Sequence, residues 1–167
     1  MAFLALFLLV GATLAGATGL AAPDDPDSEG SDAADGFTGS DGDDTFNGGG
    51  GNDLLAGFDG DDLLLGAKGN DWLIGFDGAD HLSGGPGSDV VIGGQGAEDL
   101  SGGTGDDFIE SANLVDESAL QTSLQGIQRI SDVVFQYDMT LSPDIGATVD
   151  MGDGDDTVVA GHDDTLT

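Results

Sequence analysis

Acidic side chains recur at every ninth residue through the middle of this chain: Asp44, Asp53, Asp62, Asp71, Asp80, Asp89, Glu98 and Asp107. A periodic line of carboxylates with almost no bases beside it is suited to taking up cations. The 167 residues hold 33 acidic and only two basic side chains, Lys68 and Arg129, for a formal net charge of −31. That balance excludes nucleic acid, whose phosphates need Lys and Arg to release counterions, and disfavours an anionic membrane surface. With no cysteine, disulfides, thiolate metal sites and cysteine nucleophiles are excluded as well. Zinc or copper would require histidine or cysteine, and only His81 and His162 exist. Carboxylates and backbone carbonyls are hard oxygen donors in adaptable number, which suits calcium, whereas magnesium prefers to keep its water. Charge alone fits equally an acidic chain that stays disordered.

The elements that must position these carboxylates are legible in the same period. From Gly39 the chain divides into eight nonapeptides without insertion: GSDGDDTFN, GGGGNDLLA, GFDGDDLLL, GAKGNDWLI, GFDGADHLS, GGPGSDVVI, GGQGAEDLS and GGTGDDFIE. Positions one and four are always Gly, position six carries the acid, and position eight is apolar from Phe46 to Ile109. Glycine at one and four is expected to adopt positive φ, making the first six residues a tight turn. Positions seven to nine then form a short strand with position eight inward. Two nonapeptides make one coil, and repeats two apart stack at about 4.8 Å. Asp44 thus lies above Asp62 and Asp80, and Asp53 above Asp71 and Asp89. Carboxylates at that spacing repel by roughly 1 kcal/mol in water and more when shielded. A divalent cation between coils reverses the sign. Because a single inward column is a small core for a Gly-rich segment, metal is expected to drive folding.

The GGxGxDxUx pattern over residues 39–110 resembles the RTX, or haemolysin-type calcium-binding, repeat family. The resemblance implies an all-β parallel β-roll, a β-solenoid, that is unfolded in a low-calcium cytoplasm and folds after export. It further implies that several Ca²⁺ ions are held by the position-six residues Asp44, Asp53, Asp62, Asp71, Asp80, Asp89 and Asp107. Backbone carbonyls of the glycine turns would complete the sites, at Gly42, Gly51, Gly60, Gly69, Gly78, Gly87 and Gly105. Glu98 departs from the pattern, and its extra methylene is expected to weaken that site. An EF-hand reading of the Asp-x-Asp spacings fails, because the flanking helices and terminal Glu are absent.

Outside the repeats, residues 2–22 are uncharged and almost wholly apolar, and are expected to form a helix that is either a signal peptide or a membrane anchor. Residues 23–38 are an acidic linker ending in a worn repeat that keeps Asp35 and Phe37 in phase. From Ser111 to residue 150 the beat stops, and a small mixed segment is expected to pack there, with a helix over 116–125 and a strand over 132–141. MGDGDDTVV at Met151 restores one repeat, with Asp156 as a further metal ligand, and opens a second short patch over 151–167. The outward residues of alternate repeats differ. One sheet carries Leu54, Trp72, Val90 and Phe108, an apolar column that is either covered by the C-terminal segment or used by a protein partner. The other is mostly polar.

Three functions compete. The first is a secreted, extracellular calcium-binding module with a structural, surface or adhesive role and no chemistry. The second is a calcium-dependent secreted hydrolase, or a fragment of one. No HExxH zinc site, GxSxG elbow or P-loop lysine supports it, and His81 and His162 read as surface residues rather than bases. The third is a disordered acidic buffer.

Overall fold

A computed structural model describes residues 28–111, 146–161 and 163–167. The expected N-terminal helix over 2–22, the helix over 116–125 and the strand over 132–141 lie outside these residues. The described residues are all-β, with no helix among them, and form two parallel sheets. One sheet holds β1 (Ser28–Glu29), β3 (Thr45–Asn47), β5 (Leu63–Leu65), β7 (His81–Pro86), β9 (Asp99–Thr104), β11 (Thr148–Asp150) and β13 (Thr165–Leu166). Its partner holds β2 (Gly36–Thr38), β4 (Leu54–Asp59), β6 (Trp72–Asp77), β8 (Val90–Gln95), β10 (Phe108–Glu110) and β12 (Thr157–Val159). Odd strands pair only with odd and even with even, so the chain alternates between sheets and advances one coil per two nonapeptides. Pairs such as Phe46↔Leu64, Leu55↔Leu73 and Leu73↔Val91 set this register.

The position-eight residues form the core between the sheets. Phe37, Phe46, Leu55, Leu64, Leu73, Leu82, Val91, Leu100, Ile109 and Val149 make one continuous buried column. Phe37 and Phe46 stack at its N-terminal end with ring centroids 4.4 Å apart. Stacked aliphatic residues suit this narrow interior because each meets its counterpart one coil away.

The turns depart from expectation in one respect. Position-four glycines from Gly51 to Gly105 take positive φ, as at Gly69 (φ 134°), but Gly42 and the position-one glycines do not. Position two takes the left-handed conformation in their place, at Gly85 (φ 103°) and even at Phe58 (φ 82°), Ala67 (φ 73°) and Phe76 (φ 80°). Glycine at position one is required for space instead, as described below.

The segment from Gly146 is not a separate patch. Thr148, Val149 and Asp150 pair with Asp99, Leu100 and Ser101. Thr157, Val158 and Val159 pair with Phe108, Ile109 and Glu110. After Ser111 the chain therefore returns to the roll in register, the late repeat stacks on the early ones, and Thr165 and Leu166 add a last strand on Thr148 and Val149.

The outer faces differ sharply. On the even-strand sheet, Leu54, Ala56, Ile74, Phe76 and Ile92 form a second buried cluster, with Phe58, Trp72 and Val90 packed against it. Ile74 is 1 % exposed, although position nine points away from the core column. At the same position of the odd-strand sheet, Leu65 and its partner Ser83 are only half-buried. The sheets thus differ in burial at position nine, whereas in the position-seven column of the even face Leu54 is buried and Trp72, Val90 and Phe108 are half-buried.

Candidate metal centre

Each position-six aspartate lies where a turn enters a strand, and the roll places its two carboxylate oxygens in different surroundings. Oδ1 faces the preceding coil and accepts its backbone N–H. Asp53 accepts from the Asp35 N–H at 2.7 Å, Asp62 from Asp44 at 2.8 Å, Asp71 from Asp53 at 2.8 Å and Asp80 from Asp62 at 2.9 Å. Asp89 and Asp107 continue the series, accepting from Asp71 and Asp89 at 2.8 Å each. Asp156, half-buried at the end, accepts from Asp107 at 2.9 Å. These bonds hold each side chain in one orientation.

Oδ2 faces inward across its own turn. For Asp53, Asp62, Asp71, Asp80, Asp89 and Asp107 this oxygen is buried and has no hydrogen-bond partner. An orphaned acceptor costs about 1–3 kcal/mol, more if charged. Six in one small domain calls for a physical cause.

The space in front of each Oδ2 supplies it. A Cβ placed on Gly66 would lie 2.6 Å from Asp71 Oδ2 and 2.7 Å from the Gly84 carbonyl oxygen. On Gly102 it would lie 2.6 Å from Asp107 Oδ2 and 2.8 Å from the Met151 carbonyl oxygen. Gly48, Gly57, Gly75 and Gly84 repeat the arrangement with Asp53 and Gly66, Asp62 and Gly75, Asp80 and Gly93, and Asp89 and Gly102. In each case a carboxylate oxygen of one coil and a carbonyl oxygen of the next converge on a point that only glycine leaves open. Two partial negative charges aimed at one cavity repel until a cation stands between them.

Electrostatics agree. Burial pushes the carboxyls of Asp53, Asp62 and Asp89 up to about 7 and that of Asp80 up to about 6, and raises those of Asp71 and Asp107. The N–H bond to Oδ1 opposes burial in every case. For Asp53, the neighbouring carboxylates Asp71 and Asp35 add to it. These groups resist ionisation until a positive charge arrives.

The donors fit a hard cation. No three His, Cys, Asp or Glu side chains converge on one point among the described residues, so a site is one carboxylate with backbone carbonyls. That set suits calcium and offers nothing to zinc. The cradle carbonyls belong to position one, at Gly66, Gly75, Gly84, Gly93, Gly102 and Met151. The family resemblance implies those of position four instead. The latter stack from coil to coil: a Cβ on Gly78 would collide with the Gly60 carbonyl and lie 3.1 Å from Asp80 Oδ1. Gly42, Gly51, Gly69, Gly87 and Gly105 occupy the same stacks, with Gly51 under Gly69 and Gly87 under Gly105. The constancy of glycine at position one is the sequence signal for the cradle, although a turn requirement accounts for it equally well.

Two rungs differ. The Asp44 Oδ2 accepts the Ser40 N–H at 2.7 Å and the Ser40 hydroxyl at 3.2 Å. At Glu98, the Gly93 position meets Cγ at 3.0 Å and Cδ at 3.3 Å instead of oxygens, because the longer side chain carries its carboxylate past the cradle. His81 is exposed and pairs with Asp99 through Nδ1 at 3.0 Å, away from the cradles. His162 lies outside the described residues.

The pattern that defines the RTX calcium-binding nonapeptide repeat, in four copies, matches residues 38–73 and again residues 74–109. No curated protein and no solved structure matches the chain.

Proposed function

Because residues 38–109 are RTX calcium-binding nonapeptide repeats, we propose that this chain is a secreted module that folds when calcium enters its turns. Its role on this reading is structural, at a surface or in adhesion, and not catalytic. The observation that carries it is the set of six buried Oδ2 atoms without partners, each aimed at a carbonyl of the next coil. In the low-calcium cytoplasm the carboxylates would ionise against one another and keep the chain open. Outside, bound calcium supplies the positive charge that lets neighbouring coils close, so binding energy becomes folding energy. The position-six aspartates supply the charge, and position-one carbonyls, with those of position four alongside, supply the remaining oxygens. Export through residues 2–22, by cleavage or as an anchor, belongs to the same reading. The burial of Leu54, Ile74 and Ile92 supports internal packing of the apolar face over the docking of another protein.

Far-ultraviolet circular dichroism during calcium titration tests the proposal. Strand signal should be weak in chelator, rise with calcium and fail to rise with magnesium at equal concentration. A full strand spectrum in chelator, unchanged by calcium, would overturn it.

A further inference from the structure

The turns exist in two states, distinguished by the backbone at position two. Where φ is positive there, as at Gly49, Phe58, Ala67, Phe76, Gly85 and Gly103, the position-six Oδ2 of that repeat has no hydrogen-bond partner. Ser31 and Ser40 occupy position two in the first two repeats and stay out of the left-handed region. Their N–H groups turn inward and reach the carboxylate. Ser31 donates to Asp35 Oδ2 from its N–H at 2.7 Å and its hydroxyl at 2.9 Å, as Ser40 does to Asp44. The last rung closes similarly: Asp164 Oδ2 accepts the Gly161 N–H and the Ser111 hydroxyl, the latter at 2.7 Å.

Asp35 and Asp44 begin the two ladders among the described residues, and Asp164 lies near the C-terminal end. At Gly30 and Gly39 the carboxylate oxygen and the carbonyl of the next coil still converge, so these rungs differ from the open ones in the serine donors that already occupy Oδ2. A cation there would have to displace two hydrogen bonds that the open rungs lack. We infer that calcium occupies only the open rungs whose position one is glycine, Asp53, Asp71, Asp89 and Asp107 on one edge and Asp62 and Asp80 on the other; Asp156 shares the positive φ, at Gly152, but its repeat begins with Met151, whose side chain takes the place of the cradle. The serine-closed rungs of Asp35 and Asp44 and the closed rung of Asp164 are then metal-free caps, and Glu98 ends the shorter ladder. Calcium ligation by Asp44, which the repeat pattern implied, is replaced by a hydrogen-bonded cap. This rests on the calcium reading above but goes beyond it, because the repeat pattern alone treats Asp44 and Asp62 alike.

Native mass spectrometry of the full chain at saturating calcium reads the number of ions, with circular dichroism verifying the fold of each variant. Six are expected in the wild type, six in Asp44→Asn and five in Asp62→Asn. Ser40→Gly removes the hydroxyl and frees φ at position two, so seven are expected. Loss of one ion in Asp44→Asn, or no gain in Ser40→Gly, would overturn the caps while leaving calcium binding intact. A wild type that binds none would overturn the calcium reading and this inference together.

Discussion

Replacing Asp89 by asparagine should change the stability of this protein in opposite directions with and without calcium. The substituted amide keeps an oxygen to accept the Asp71 N–H, the bond that holds the side chain at 2.8 Å in the wild type. Its nitrogen takes the place of the orphaned Oδ2 and points a donor toward the Gly102 carbonyl across the Gly84 cradle. Removing one unsatisfied buried acceptor is worth about 1–3 kcal/mol, and each kcal/mol moves Tm by about 4–8 °C in a domain of this size. In chelator, with trimethylamine N-oxide added to bring folding into range, Asp89→Asn should therefore be the more stable protein. In calcium it lacks one ligand. A single site contributes about 2.7 kcal/mol at calcium a hundredfold above its Kd, so the wild type overtakes the variant there. The pH dependence has a definite sign. Asp89 is raised from 3.8 to about 7 in the fold, so between those values the native state binds more protons than the unfolded chain. Calcium-free stability consequently falls as pH rises through that window, and the advantage of the Asp89→Asn variant should be small near pH 4 and full above pH 7. Thermal melts followed by circular dichroism at pH 4, 5.5 and 7.5, with chelator and with calcium, read all of this. A variant less stable than the wild type in chelator at pH 7.5 would refute the reasoning.

Further outcomes follow from the same geometry. Gly66→Ala puts a methyl between Asp71 Oδ2 and the Gly84 carbonyl; it should remove one bound calcium and lower Tm in calcium, as calorimetry would record. Leu73→Ala empties the middle of the core column and should cost about 2–5 kcal/mol in urea unfolding of the calcium-loaded protein. Ile74→Asp, at a buried position-nine site, should destabilise by several-fold more than Leu65→Asp at the equivalent half-buried site of the other sheet; equal effects in paired melts would refute the difference in burial. Calcium binding to the protein already folded by trimethylamine N-oxide should release protons at pH 6, since carboxyls raised to about 7 in the calcium-free fold must ionise; matched titrations in buffers of different ionisation enthalpy measure the number released, which should fall to near zero without the osmolyte, where the open chain is already ionised.

The sequence by itself determined the roll. Nonapeptides without insertion between Gly39 and Glu110 leave one way to bury Leu55, Leu73 and Val91 in a column and align Asp53, Asp71 and Asp89 along an edge, because a strand's side chains alternate and a coil must return to the same register. What each oxygen meets was decided only by the tertiary structure. Whether Gly66 serves φ or space depends on a carbonyl eighteen residues away, and whether Asp44 faces a cation or Ser40 depends on one backbone torsion. The docking of Thr157 onto Phe108 was equally hidden, since the interrupted repeat carries no mark of which coil it rejoins. Period is a local property that any one turn displays. Coordination and closure arise between coils, where distances are set by backbone stacking and not by residue type.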